Sequence, residues 1–252
     1  MSTQTTSPTG ALLDVRGLRK SFGGLVAVRD MSLTVPAKGI TGLIGPNGSG
    51  KTTVLNLITG ELRPDQGSVL FKGRDILGWP PFRINRARIA RTFQLVRFLP
   101  NMTVQQNVMI GRMFGSDPTG PVPALKDAAE LVKRVGLGGR ESVLAGQLTY
   151  IDQKRLELAR ALATRPELLL LDEWLAGLNP AELQIGIDLI RVIGRDGIAI
   201  VMIEHVMEAI RALCDRVYVM NAGEGIAEGR PDAVLSDPRV MRAYLGADDA
   251  AA

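Results

Sequence analysis

The chain of 252 residues has one cysteine, Cys214, and one histidine, His205. An intramolecular disulfide and any zinc site built from a Cys/His cluster are therefore excluded. No stretch approaches the roughly 18 consecutive apolar residues needed to span a bilayer. The opening Met1-Ser-Thr-Gln-Thr-Thr-Ser-Pro-Thr-Gly10 has neither the basic flank nor the apolar centre of a signal peptide. The expected compartment is thus the cytoplasm. Acidic residues are missing between Ile76 and Ser116, where Arg83, Arg86, Arg88, Arg91, Arg97 and Arg112 all lie. The formal net charge is only +4, so the basic excess is local. It suits a phosphate-rich partner or an anionic membrane surface as well as a solvated helix face.

What is present suits a soluble domain. Apolar residues make up 46% and charged residues 22%, a balance that can bury a core in one large domain or two small ones. Residues 1–10 and 247–252 read as tails flanking a single domain over 11–246. Leu12–Arg16 and Leu25–Val35 alternate apolar and polar positions and predict an antiparallel hairpin or meander. Gly39–Ile44 predicts a short buried strand, and Thr52–Thr59 a helix. From about Pro80 to Gly146 the pattern is mostly helical, with Thr103 and Asp127 near helix starts and Pro118, Pro121, Pro123 and Gly138-Gly139 as breaks. Three helix–strand alternations follow: Asp152–Thr164 then Leu168–Leu171, Pro180–Ile193 then Ile198–Ile203, and His205–Leu213 then Val217–Met220. All-apolar strands between helices predict an α/β fold with a parallel sheet covered on both faces.

Gly45-Pro46-Asn47-Gly48-Ser49-Gly50-Lys51-Thr52 matches G-x-x-x-x-G-K-[ST] between a strand and a helix. Its glycines let successive backbone N–H groups and the helix N-terminus surround a polyphosphate. Lys51 would reach the outer phosphates, the Thr52 hydroxyl would ligate Mg²⁺, and Thr53 follows in the same turn. Leu168–Leu171 runs into Asp172 and Glu173, placing two carboxylates at the end of a strand where a parallel sheet binds ligands. Asp172 would hold Mg²⁺ through water, and Glu173 would polarise the attacking water. An acidic helix cap would account for such a pair standing alone. The next apolar strand ends in Glu204-His205, and the imidazole there could contact the γ-phosphate.

In order and spacing, the P-loop, Arg91-Thr-Phe-Gln94, Leu148-Thr-Tyr-Ile-Asp-Gln153, Asp172-Glu173, Ala176-Gly-Leu-Asn179 and His205 resemble the nucleotide-binding domain of ATP-binding-cassette (ABC) transporters. The likeness runs from about Leu12 to Gly246. The Arg-Thr-Phe-Gln segment, Ala176–Pro180 and the ending Val240–Gly246 look most like the ATPase subunits of branched-chain amino-acid importers. The resemblance implies a P-loop NTPase core with a mostly parallel sheet, an antiparallel β subdomain and an inserted helical subdomain at about 95–165. It implies ATP hydrolysis with Mg²⁺, with Phe22 stacking on adenine and Gln94 sensing the metal. Thr149 would serve the ATP of a second cassette in a dimer. Transmembrane permease subunits, docking near Gln94 and the arginines beside Trp79 and Phe82, are the implied partners. A periplasmic solute-binding protein acts indirectly, nucleic acid takes no part, and the place is the inner face of the membrane. A nucleic-acid clamp or a weakly hydrolysing regulatory subunit are the rival readings.

Two segments depart from the family pattern. Ile151 and Asp152 stand where the signature has glycine and glutamine, and Trp174 stands where proline follows the glutamate. A β-branched side chain would obstruct a γ-phosphate and a carboxylate would repel it. The expectation is a heterodimer with one impaired composite site.

Overall fold

A computed structural model describes residues 10–245, so the tails expected at 1–10 and 247–252 lie, but for Gly10, outside the described residues. Ten strands form one sheet: β1 (Ala11–Phe22), β2 (Leu25–Pro36), β3 (Ile40–Ile44), β4 (Gln66–Phe71), β5 (Arg74–Asp75), β6 (Ile89–Arg91), β7 (Leu168–Asp172), β8 (Ala199–Ile203), β9 (Arg216–Asn221) and β10 (Glu224–Gly229), in the order β5-β4-β1-β2-β10-β9-β3-β8-β7-β6. The helices are α1 (Lys51–Ile58), α2 (Pro81–Arg86), α3 (Val104–Phe114), α4 (Pro121–Arg134), α5 (Tyr150–Ala163), α6 (Pro180–Arg195), α7 (Met207–Leu213), α8 (Pro231–Leu235) and α9 (Pro238–Leu245).

Strands β9, β3, β8, β7 and β6 are mutually parallel, whereas β5, β4, β1 and β2 are antiparallel. Every residue of β3, β7 and β8 is buried, as all-apolar runs in a sheet covered on both faces require. Because side chains alternate across a strand, Leu169 and Leu171 join one core layer with residues of α3 to α7, and Leu168 and Leu170 join another with α1 and the antiparallel strands. In the parallel register Asp172 pairs with Ile203, and Ile203 with Leu43. The carboxyl ends of β3, β8 and β7 therefore come out level, with the chain leaving β6 beside them.

Two sequence expectations change in the inserted segment. Thr103 does cap α3, through a capping box with Gln106. Asp127, however, lies inside α4, and Pro121 and Pro123 open that helix rather than break it, because the first turn needs no proline N–H. Helix α7 begins at Met207, which leaves His205 in the loop after β8. The arginine-rich window is also less basic at its surface than its composition suggests. Arg91 is buried against Asp172, Arg112 is buried against Asp127 and Asp117, and Arg88 pairs with Glu167. Arg97 lies over Phe93. Arg83 stacks at 3.7 Å on Trp79 and Arg86 lies over Phe82, neither with an acidic partner among the described residues. No described helix is long and apolar enough to cross a membrane.

Candidate nucleotide site

Strand β3 turns into α1 through residues 45–50, and the turn closes only with glycine at two places. A Cβ on Gly45, at φ +149°, would lie 2.0 Å from the Met220 carbonyl, and one on Gly50, at φ +102°, would lie 2.4 Å from that of Ala27. Gly50 is the N-cap of α1 and offers no side chain to its first-turn amides, and no acidic residue occupies that turn. Those N–H groups and the positive end of the helix dipole are left for an anion. The Lys51 ammonium is buried and donates to the carbonyls of Gly45 (2.8 Å) and Pro46 (2.9 Å). Burial lowers its pKa, against the opposing pull of Glu173 and Asp172. The Ser49 hydroxyl is buried in the same loop with no hydrogen-bond partner, an orphan that a phosphate oxygen would satisfy.

Gly50 and Lys51 line a cleft of about 620 Å³, whereas Gly45, Pro46 and Ser49 lie in the loop behind it. Phe22, 45% exposed at the end of β1, lines it together with Asn47, Gly48, Thr52 and Thr53 of the loop and helix and with Gln94 and Glu173. Arg29 and the β9–β10 turn at Ala222-Gly223 complete it, and neither carries a sequence signal that could have found it. The size and the concentration of donors suit a nucleoside polyphosphate.

The strand ends bring the acidic groups in. Asp172 is 1% exposed; its Oδ2 takes a 2.6 Å ion pair from Arg91, and its Oδ1 lies 3.4 Å from the Thr52 hydroxyl. A hydroxyl beside one carboxylate oxygen is the donor set that Mg²⁺ uses when phosphate and water complete its shell. Among the described residues no cluster of three or more His, Cys, Asp or Glu offers an all-protein cage. The next residue, Glu173, adopts a left-handed backbone at φ +52°. Its Oε1 lies 2.7 Å from His205 Nε2, and its Oε2 accepts from Gln94 Nε2 at 2.9 Å. Residues after β7, β8 and β6 thus meet on one carboxylate. Gln94 shares a groove with Thr52 and Asp172, while its amide turns to Glu173.

Glu204, between β8 and His205, is fully buried and accepts from the Leu175 N–H at 2.7 Å. Burial raises its carboxyl to about 7.

Thr149 does not line this cleft; it caps α5 by position, and its hydroxyl donates to Asp152 at 2.8 Å. Asp152 is 4% exposed and pairs with Arg140 and Arg155. Two guanidinium groups thus face the carboxylate that was expected to repel a phosphate. Trp174 is accommodated rather than tolerated at the surface. Its indole is 2% exposed, donates to the Lys154 carbonyl at 3.0 Å, and lies against Gly186 of α6, where a Cβ would come within 3.2 Å of the ring.

Known proteins resemble this chain in sequence and fold. Residues 28–176 match the family model described as ABC transporter, and residues 226–250 match that of the branched-chain amino acid ATP-binding cassette transporter. The chain is 40% identical over 93% of its length, and 98% of the relative's, to the high-affinity branched-chain amino acid transport ATP-binding protein LivG of Salmonella typhimurium. It is 37% identical, with the same coverage, to BraF of Pseudomonas aeruginosa, which carries the same description. Among solved structures, an ATP-binding cassette of an ABC transporter in its ADP conformation superposes with a TM-score of 0.85 at 32% identity, covering 94% of this chain and 100% of that one.

Proposed function

The chain belongs to the ATP-binding family of ABC transporters, and on that footing we propose that it powers uptake of branched-chain or related amino acids by hydrolysing ATP at the inner face of the membrane. Its partners in this reading are transmembrane permease subunits, a second ATPase subunit and, indirectly, a periplasmic solute-binding protein.

The observation that carries the reading is the Glu173 carboxylate held between His205 and Gln94 at the mouth of the P-loop cleft. With Phe22 beside the base and the loop amides, Ser49 and Lys51 on the phosphates, the water that attacks the γ-phosphorus lies against Glu173. That carboxylate takes up the developing proton as the bond from the γ-phosphorus to the bridging oxygen breaks, giving ADP and phosphate. His205 fixes the carboxylate from one side and Gln94 from the other, so a shift of the Gln94 loop alters its aim. Mg²⁺, held by Thr52 and Asp172, supplies charge neutralisation of the phosphates when bound.

The second cassette is a different chain in this reading. Ile151 at the glycine position and the Thr149 hydroxyl turned toward Asp152 leave this signature poorly equipped to serve a partner's ATP, while its own P-loop site is complete. Purified alone, the chain binds MgATP and turns it over slowly. The test is co-purification with its permease subunits and second cassette, followed by ATP-driven leucine uptake in proteoliposomes. Uptake that persists when Glu173→Gln replaces the wild-type chain, or fast turnover by the isolated chain, overturns the reading.

A further inference from the structure

Helix α5 buries two charged side chains that the sequence pattern of an ATPase site does not require. Lys154 is 2% and Glu157 4% exposed, three residues apart and hence on one face of the helix. Each bonds to the backbone of one segment. The Lys154 ammonium donates to the carbonyls of Trp174 (2.9 Å) and Glu173 (3.2 Å), and the Trp174 indole returns a bond to the Lys154 carbonyl. Glu157 Oε1 accepts from the N–H groups of Phe93 and Arg97, both at 3.2 Å, the two positions that bracket the loop holding Gln94.

Burying an ammonium with no carboxylate bonded to it is unfavourable. So is burying a carboxylate whose Oε2 has no partner. A methionine or leucine would fill either place at less cost, so helix packing alone does not call for these groups. What they have in common is the two segments they grip: Lys154 holds the backbone of Glu173 itself, and Glu157 holds the residues on either side of the stretch that carries Gln94. Glu173 and Gln94 share the 2.9 Å hydrogen bond across the cleft, and Glu173 holds a left-handed φ that an L-residue adopts only when its surroundings impose it. The two Lys154 bonds fall on the carbonyl that follows that φ and on the next one along.

We infer that Lys154 and Glu157 are positioning residues for hydrolysis, together setting where the Glu173 carboxylate stands relative to the Gln94 amide. The inference rests on the proposed role of Glu173, and one experiment separates the two. In the assembled transporter, kcat and KM for ATP are measured for Lys154→Met, Lys154→Arg, Glu157→Gln and Glu173→Gln, with ATP affinity and thermal melting recorded for each chain. Since a misplacement of about 1 Å can cost about a hundredfold in rate, Lys154→Met is expected to lower kcat by about tenfold or more. Its ATP affinity stays within about threefold of wild type, and Lys154→Arg, which keeps the donors, recovers most of the rate. Glu157→Gln keeps the shape and one acceptor and lowers kcat by a smaller factor, about threefold to fivefold. It carries the test if Lys154→Met does not melt cooperatively. An unchanged kcat in both, or a fall in kcat matched by an equal loss of ATP affinity, overturns the inference. If Glu173→Gln itself turns over normally, the reading of the site fails; if it is inactive while Lys154→Met and Glu157→Gln are normal, this inference alone fails.

Discussion

Arg91→Met isolates one carboxylate at the centre of the site. In the wild-type chain the Arg91 side chain is 6% and that of Asp172 1% exposed, and they meet at 2.6 Å. The same guanidinium also donates to Asn56 at 2.6 Å and to Thr59 at 3.3 Å. Methionine fills most of the volume but leaves Asp172 charged and buried, with the Thr52 hydroxyl at 3.4 Å and the more distant Lys51 ammonium in place of its ion-pair partner. Breaking a buried pair from one side costs about 3–5 kcal/mol, because an uncompensated charge stays behind. That is a large share of the roughly 5–15 kcal/mol that holds a domain together. With a urea slope of about 3 kcal/mol per molar, the unfolding midpoint falls by about 1–1.7 M. Removing both charges, Arg91→Met with Asp172→Asn, brings the stability back to within about 1 kcal/mol of wild type, since the penalty belongs to the orphaned charge. The assay is urea unfolding followed by circular dichroism on the nucleotide-free chain, with all three variants completing the cycle. A midpoint shift below about 0.3 M for Arg91→Met, or a double variant as weak as the sum of the two single ones, refutes the argument.

Three further outcomes follow from other parts of the molecule. Glu204 has a carboxyl raised to about 7 by burial; a raised pKa means its contribution to stability is full below the ordinary carboxylate range and drains as pH climbs through 7. Glu204→Gln therefore gains on wild type between pH 5 and pH 8 in urea midpoint, and parallel curves would contradict this. Ile151→Gly with Asp152→Gln releases the Thr149 hydroxyl and clears the β-branched side chain, so ATP turnover of a dimer of this chain rises; an unchanged rate means the signature is not what limits it. Replacing Arg83 and Arg86, which stack on Trp79 and Phe82 without acidic partners among the described residues, by Glu weakens membrane association measured by sedimentation with permease-containing vesicles. ATP affinity stays as it was, and unaltered sedimentation removes these arginines from the docking surface.

The parts of this site that were legible in the sequence are those written in local pattern. The glycine spacing of 45–50 and the apolar runs ending at Asp172 and His205 report strand ends directly, because a strand buried on both faces must be apolar throughout and polarity begins where it stops. Short edge elements such as β5 and α2 have too few residues to show a period. Proline signals misled at Pro121 and Pro123, where the same residue that ends one helix opens another. Charge was the least legible property. Arg91 and Arg112 read as part of a basic surface window along the chain, yet their partners are Asp172 and Asp127, brought near by the fold; Asp152 read as a free charge at the signature, yet it pairs with Arg140. Lys154 and Glu157 gave no signal, since a charged residue on a helix is by default taken to face water.

Trp174 and Gly186 share one packing site beside the catalytic segment. A side chain at 186 would come within 2.6 Å of Leu175 and 3.2 Å of the Trp174 ring, so enlarging position 186 presses on both. The tip of Leu175 can turn aside, whereas the buried indole is tied to the Lys154 carbonyl. A single methyl group on α6 would therefore be felt one residue from Glu173, through the indole rather than through the nucleotide cleft.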